Sequence, residues 1–346
     1  GLVCEPQSGY CVHDMNMRPT IKDVARRAKV ATGTVSRVTN GDTTVHPVIR
    51  EAVEAAIKEL GYRPSPIARN LRRGRSAIIA FVLADVTNPT YSAMVPEVQE
   101  LTREAGYTLV VMDSGMDPER ERRNLETLAA LRVDGVVLNP LLPVDTTIPA
   151  LLQGIPVVSL PGVPEWEGAK VRVSSTDATL AGLDDCLANG HRRIAFLTIK
   201  GLGGTQRDLL SMMRERIRAA GATFVSDASW TFMSREASTE ALPAMLRAEG
   251  RPTAVLTASA LLPELLIAAR DAGMKVPRDL SVISIAASTL ADAYDPPINC
   301  TTFDHEHLSS EAICKLLDTM RGEPWGEAEE HASFYLRRGS VGPAPA

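Results

Sequence analysis

The sequence lacks the features that would place the chain in a membrane or among disulfide-rich proteins. Its 346 residues contain no run of about 18 or more apolar residues, so a transmembrane helix is not expected. The first residues do not combine a basic segment with an apolar one, so we expect no secretion signal. The five cysteines form no C-x-x-C pair, which disfavours disulfides and a thiolate zinc site and favours a reducing cytoplasm.

Common catalytic and nucleotide-binding motifs are also missing. The glycine-rich stretch at 201–205 fits neither G-x-G-x-x-G nor the P-loop, and we interpret it as a strand-to-helix turn. His305, Glu306 and His307 lack the H-E-x-x-H spacing, so an exposed helix start is expected there rather than a zinc site. No G-x-S-x-G elbow occurs. The sequence therefore predicts no catalytic site, no cofactor and no metal.

Charge is distributed unevenly along the chain. The net charge of −5 would by itself argue against nucleic-acid binding. Residues 18–75, however, carry 13 Lys and Arg against 5 Asp and Glu, a net +8, whereas residues 76–346 carry −11. A basic head on an acidic body indicates polyanion binding confined to the head. A merely solvated charged surface is the alternative at this point.

Three short helices are predicted in this basic head. A capping box at Thr20–Asp23 opens the first helix, and the second covers about 32–38. The third helix begins at Pro47, carries one apolar stripe and ends near Leu60. Three helices within about 40 residues, two of them tightly joined, are typical of a helix-turn-helix domain.

Beyond the head, apolar strands alternate with helical segments, and the pattern restarts at Gly190. This alternation is typical of α/β folds, and it predicts two doubly wound parallel-sheet lobes that face each other across a ligand cleft. The predicted boundaries are an extension at 1–17, a helix-turn-helix domain at 18–62, a hinge or linker at 63–75, an N-terminal lobe at 76–175 and about 298–322, a C-terminal lobe at 176–297 and about 323–340, and a tail at 341–346.

Motifs spread along most of the chain share one family pattern. In the head they are Thr20–Ala28, Thr34–Gly41, Ala55–Pro64 and Ala68–Leu71. In the body they are Ala105–Leu109, Arg132–Val136, Gly154–Val158, Gly190–Phe196, Arg251–Val255, Val276–Val282 and Asp295–Pro297. From residue 19 to about 338 the chain thus resembles the lactose-repressor/galactose-repressor family of bacterial transcription regulators. The resemblance implies a homodimer on a pseudo-palindromic DNA operator, a hinge helix in the minor groove, and a body like periplasmic sugar-binding proteins that holds a small-molecule effector.

Residues at the start of a recognition helix face the DNA bases. Here the expected base contacts are Thr32, Gly33 and Arg37. Arg37 can donate two hydrogen bonds to guanine, with a phosphate contact as the alternative. The expected phosphate contacts are Thr20, Ser36 and Asn40. A purely structural role as a helix cap is an equal alternative for Thr20.

In the hinge, the resemblance implies that Leu71 wedges into the central base step, accompanied in the minor groove by Ala68, Arg69 and Arg72. A core contact between Leu71 and the body is the alternative.

The head also departs from the family pattern. Ala31 stands where a capping Ser is usual, so Thr32 is expected to take over as cap. Lys29 stands at a turn position that often holds Gly or Asn, and Gly33 weakens the helix. We therefore expect a head that orders mainly on DNA.

The effector cleft is less well defined by the sequence. The resemblance implies effector contacts from Tyr91, Arg207, Ser259, Ala287 and Phe303. Where the family commonly has carboxylates, this chain has Pro161-Gly162, Ser259-Ala260 and Ala286-Ala287. A pocket without these acceptors would leave sugar hydroxyls unpaired, so we expect a less polar or anionic ligand, its carboxylate meeting Arg207. A plain sugar is disfavoured but not excluded, and a cleft that binds no ligand is a serious alternative.

Taken together, these patterns predict a DNA-binding transcriptional regulator, most simply a repressor, whose operator affinity responds to a small molecule. One alternative is a soluble small-molecule-binding protein with a vestigial head, and a second is an α/β enzyme with a regulatory domain. The basic head and the intact linker disfavour both. The last residues, Gly339 to Ala346, show no leucine heptads, so a dimer is preferred over a coiled-coil tetramer.

Overall fold

The computed structural model describes residues 19–39, 41–62, 75–142, 146–161, 168–199, 204–225, 230–232, 235–286, 289–326 and 330–345. The chain divides into two compact units, Gly1–Gly74 and Arg75–Ala346, here called the head and the body. No helix in the described ranges combines the length and the hydropathy that a membrane span requires.

The head contains the three predicted helices, α1 (Ile21–Ala28), α2 (Thr32–Thr39) and α3 (Pro47–Leu60). Val24, Val35 and Val53, one from each helix, are fully buried and form the centre of its small core. The predicted capping box is confirmed at the start of α1. The Thr20 amide nitrogen lies 2.9 Å, and its hydroxyl 2.6 Å, from the Asp23 carboxylate oxygen Oδ2.

The turn between α1 and α2 departs from one expectation. Lys29 adopts a left-handed conformation with φ of 55°, which explains why glycine or asparagine suits this position. The Ala31 carbonyl accepts from the amides of Thr34 and Val35, so Ala31 itself occupies the cap position. Thr32 is the first residue within α2, and the expectation that it takes over as cap is therefore wrong.

The first lobe of the body is a four-stranded parallel sheet in the order β2-β1-β3-β4. Its strands are β1 (Ile78–Leu83), β2 (Thr108–Asp113), β3 (Gly135–Leu138) and β4 (Val157–Ser159). Apolar clusters cover both faces, as the buried patterns of β1, β3 and β4 require, whereas the edge strand β2 is partly exposed. The connecting helices are α4 (Pro89–Ser92), α5 (Val95–Glu104), α6 (Pro118–Leu131) and α7 (Thr147–Leu152).

The second lobe is a seven-stranded sheet in the order β13-β11-β10-β9-β6-β7, with β8 also paired to β6. All described pairings are parallel except that of β13 with β11. The strands are β6 (Arg193–Ile199), β7 (Thr223–Phe224), β8 (Trp230–Phe232), β9 (Ala254–Ala258), β10 (Ser281–Ile285), β11 (Asn299–Thr302) and β13 (Phe334–Leu336). The helices are α8 (Thr176–Ala188), α9 (Gly204–Ala219), α10 (Arg235–Arg247) and α11 (Leu262–Asp271).

The last part of the chain crosses between the lobes and corrects two predicted boundaries. β11 pairs with β10 in the second sheet, although 298–322 was expected in the first lobe. The helix α12 (His305–Arg321) does pack on the first lobe, against α5, β3 and β4. β12 (Glu330–Ala332), expected in the second lobe, pairs instead with the first-lobe strand β5 (Arg172–Ser174). The last part of the chain therefore contributes secondary structure to both lobes.

The predicted tail at 341–346 is also wrong for its described part. His191 is fully buried, and its Nε2 lies 3.0 Å from the carbonyl oxygen of Gly342. The Gly342 amide donates to the Ser281 hydroxyl at 3.1 Å, and the Ala344 amide donates to the Asn189 carbonyl at 2.9 Å. Residues 341–345 are therefore bound to the second lobe rather than extending from it.

Candidate nucleic-acid interface and effector cleft

The helix α2 presents one polar face to solvent. Its apolar residues Val35 and Val38 are buried in the head core. The expected base-contacting residues lie together on the opposite side, and all three are exposed: Thr32, Gly33 and Arg37. Ser36, an expected phosphate contact on the same face, is half-buried. The helical period thus collects the predicted residues of α2 on one surface, as a recognition helix requires.

Arg37 is available for an external partner. Among the described residues its guanidinium makes no hydrogen bond and no ion pair. The loop after α2 is organised by Asp42, whose carboxylate accepts from the amide and the hydroxyl of Thr44. These hydrogen bonds, and the nearby Arg37 and Arg50 charges, lower the pKa of Asp42. The ionised form of the Asp42 carboxylate is therefore favoured, mainly by Thr44, beside the polar face of α2.

Five predicted DNA-contacting residues lie outside the described residues: Asn40, Ala68, Arg69, Leu71 and Arg72. Thr20 is exposed at the start of α1, and its hydroxyl is already hydrogen-bonded to Asp23. Both of the roles considered for Thr20, cap and phosphate contact, are compatible with this position.

The two lobes meet at the carboxyl ends of their strands. Thr90, in the short helix α4 that follows β1, places its hydroxyl 3.2 Å from the hydroxyl of Ser259, which follows β9. The same Thr90 hydroxyl donates to the carbonyl of Ala286, which follows β10. Ser259 also lies 3.5 Å from the side-chain oxygen of Asn88. These contacts, here called the latch, join the two lobes across the cleft.

The predicted aromatic effector contacts belong to the first lobe. Tyr91 is half-buried, and its hydroxyl donates to the Pro161 carbonyl at 2.8 Å. Burial raises the pKa of Tyr91 to about 12, with the Asn139 side chain acting in the opposite direction. Phe303 is 7% exposed and packs into the first-lobe core, with its ring centroid 4.3 Å from that of His305.

His305 corrects the expectation of an exposed helix start. Glu306 and His307 are exposed, but both ring nitrogens of His305 are buried and have no hydrogen-bond partner among the described residues. Burial lowers the pKa of His305, and the adjacent Asp304 offsets this only in part. A neutral imidazole with two unsatisfied nitrogens thus lies where the chain crosses between the lobes.

Of the other predicted effector contacts, Ser259 is placed in the latch and is 6% exposed. Arg207 lies within α9, but its side chain is outside the described residues, as is the whole of Ala287. Sequence reasoning missed Thr90 and the burial of His305. The Thr90 position two residues after Asn88 offered no distinguishing signal, because its partners Ser259 and Ala286 lie 169 and 196 residues further along the chain.

Comparisons with known proteins agree with this geometry. The family description "Bacterial regulatory proteins, lacI family" matches residues 20–65, and "Periplasmic binding protein-like domain" matches residues 183–341. The chain is 35% identical to the HTH-type transcriptional regulator CelR of Thermobifida fusca over 325 residues, 88% of this chain and 93% of that protein. It is 34% identical to the Ribose operon repressor of Escherichia coli (strain K12) over 309 residues, 86% of this chain and 92% of that protein.

A solved structure of a CelR–cellobiose complex superposes with a TM-score of 0.64 at 30% identity, covering 93% of this chain and 100% of that one. A helix-turn-helix head followed by a periplasmic-binding-like body defines a DNA-binding transcriptional regulator that responds to a small molecule. The chain belongs to the LacI family of bacterial regulatory proteins.

Proposed function

We propose that this regulator is a homodimeric repressor in which each subunit inserts α2 into the major groove of one half of a pseudo-palindromic operator. The exposed polar face of α2, held in place by buried Val35 and Val38, is the observation that carries this proposal. It lies in a segment of net charge +8, which supplies attraction to the phosphate backbone. Such a protein acts on the bacterial chromosome and would therefore work in the cytoplasm.

Within this interface, Arg37 is proposed to read a guanine. A bidentate arginine–guanine contact contributes about 1–3 kcal/mol of discrimination against other bases. A phosphate contact, the alternative role, would instead weaken binding to all sequences to a similar degree. Thr32 is proposed to touch a base edge or a thymine methyl group, while Gly33 contributes no side chain and reads little.

We further propose that the effector occupies the cleft beside the latch. The described residues that follow β3, β4, β9 and β10 are Asn139, Leu160-Pro161, Ser259 and Ala286, and none of them is a carboxylate. This supports a ligand that is less polar than a sugar, or one whose own carboxylate meets Arg207. The CelR–cellobiose complex and the Ribose operon repressor point toward a sugar instead.

Calorimetry separates these two possibilities. Cellobiose and ribose would be titrated into the full protein alongside a panel of small carboxylates. We expect binding of a carboxylate and little heat from either sugar. Micromolar binding of a neutral sugar would overturn the proposed ligand class while leaving the DNA-binding function intact.

Genome-wide footprinting tests the function as a whole. The full protein would be incubated with fragmented DNA of its source organism, and the retained fragments would be sequenced. We expect a small number of enriched sites that share a palindromic motif, near genes that suggest the effector. Retention without any shared motif would favour the alternative, a small-molecule-binding protein with a vestigial head.

A further inference from the structure

The second lobe carries an arginine-rich cavity on the side opposite the cleft. The cavity has a volume of about 680 Å³ and is lined by Arg193, the first residue of β6, and by the segments that lead into β9 and β10. These are the amino ends of the strands, whereas the latch lies at their carboxyl ends. The proposed effector cleft and this cavity, here called the arginine pocket, are therefore separate sites.

The arginine pocket is strongly positive. Its lining contains four arginines, Arg193, Arg247, Arg251 and Arg278, and a single carboxylate, Asp279. Asp279 is already paired with Arg278 at 2.8 Å, and hydrogen bonds from that guanidinium hold the pKa of Asp279 below its ordinary value. The lining thus has four positive side chains against one negative side chain, in a body of net charge −10.

A purely structural role accounts for only part of this arrangement. Arginines at this end of the sheet can hydrogen-bond the carbonyls that helices and strands leave free. Arg193 uses its Nε to donate to the Arg251 carbonyl at 2.9 Å, and Arg251 uses one Nη to donate to the Asp279 carbonyl at 3.1 Å. Each guanidinium has five N–H donors, so most remain available, and the Arg247 guanidinium makes no hydrogen bond or ion pair with the described residues.

We propose that the arginine pocket binds a small phosphate-bearing metabolite. Guanidinium groups match phosphate oxygens with paired hydrogen bonds, and a multiply charged phosphate or diphosphate would balance the net positive charge of the lining. The volume falls in the range of small-molecule sites, of the order of 300–1,000 Å³. Leu246 and Met274 in the lining provide an apolar wall for the part of the ligand that carries no charge.

Inorganic pyrophosphate is a suitable probe, titrated into the full-length protein and followed by calorimetry and amide hydrogen exchange. Because the basic head will also bind some pyrophosphate, the exchange data must show which segments the anion protects. We expect pyrophosphate to slow exchange in the segments 246–252 and 272–280, which flank the pocket. Absence of this local protection would overturn the proposal, whatever heat is measured for the whole protein.

Two glutamine variants provide a matched comparison. Arg247→Gln removes an exposed pocket arginine that makes no hydrogen bond or ion pair with the described residues, so folding should be unaffected. The control variant is Arg270→Gln, because Arg270 is paired with Asp271 and does not line the pocket. Loss of one charge-assisted contact should weaken pyrophosphate binding about tenfold in Arg247→Gln and leave Arg270→Gln unchanged. An equal change in both variants would show that the anion follows general surface charge, and would contradict the proposal.

Discussion

The same glycine-to-alanine substitution should have opposite effects at two positions of the head. Gly33 lies within α2, and a methyl group added there meets no atom within 4 Å. Alanine at this position should stabilise the head by about 1 kcal/mol, because glycine is the poorer helix former. Gly61 ends α3 with φ of 62°, a left-handed conformation that disfavours an L side chain by about 1–2 kcal/mol. Gly61→Ala should therefore destabilise the head.

Amide exchange of the full-length protein without DNA measures both effects. The reporters are peptides that contain the buried residues Val24, Val35 and Val53. Relative to the unsubstituted protein, Gly33→Ala should slow exchange of these peptides about fivefold, and Gly61→Ala should accelerate it by at least as much. If Gly33→Ala had no effect, or if the unsubstituted head were already fully protected without DNA, the expectation of a head that orders mainly on DNA would be refuted.

Three further predictions concern the body. Thr90→Val removes the hydroxyl of the latch at nearly constant side-chain volume and should open the lobes, which small-angle scattering would detect as a larger radius of gyration. Thr90→Ser keeps the hydroxyl and should leave the radius unchanged. An unchanged radius in Thr90→Val would show that the latch does not hold the lobes together. Gly135→Ala would place a methyl group 2.9 Å from the Leu316 side chain, and it should lower the free energy of unfolding of the body by about 1–3 kcal/mol, measured by urea titration. An unchanged free energy of unfolding would contradict the close packing of α12 on β3. Burial lowers the pKa of His191 and His305 from the ordinary 6.5, so the unfolded chain takes up protons first as the pH falls. The free energy of unfolding should therefore not depend on these two histidines above pH 6.5 and should decrease as the pH falls below it. His305→Phe should make this decrease smaller.

Local sequence signals were sufficient for the head. The capping box at Thr20–Asp23, the proline that begins α3 and the apolar stripe of that helix all act within a few residues, so their consequences are visible in the sequence. The cap at Ala31 shows the limit of such reasoning. The turn conformation of Lys29 and the burial of Val35 fix where α2 begins, even though alanine offers no capping side chain.

Contacts made across long separations could not be predicted. The alternation of strands and helices indicates parallel sheets, but it does not reveal which sheet receives β11 or β12, because both are short and follow crossovers. The latch joins Thr90 to Ser259, and the arginine pocket collects side chains from the start of β6 and from the segments that precede β9 and β10. Each depends on the relative placement of elements, which no local pattern contains.

The central claim is that α2 reads DNA through its exposed face. Fluorescence anisotropy with an operator found by footprinting would compare Arg37→Ala with Lys58→Ala, which removes an exposed charge of the same sign from α3. We predict that Arg37→Ala lowers operator affinity by about 1–3 kcal/mol and loses discrimination at one base pair, with little change for Lys58→Ala. Equal losses in the two variants, with sequence preference intact, would contradict the assignment of α2 as the recognition helix.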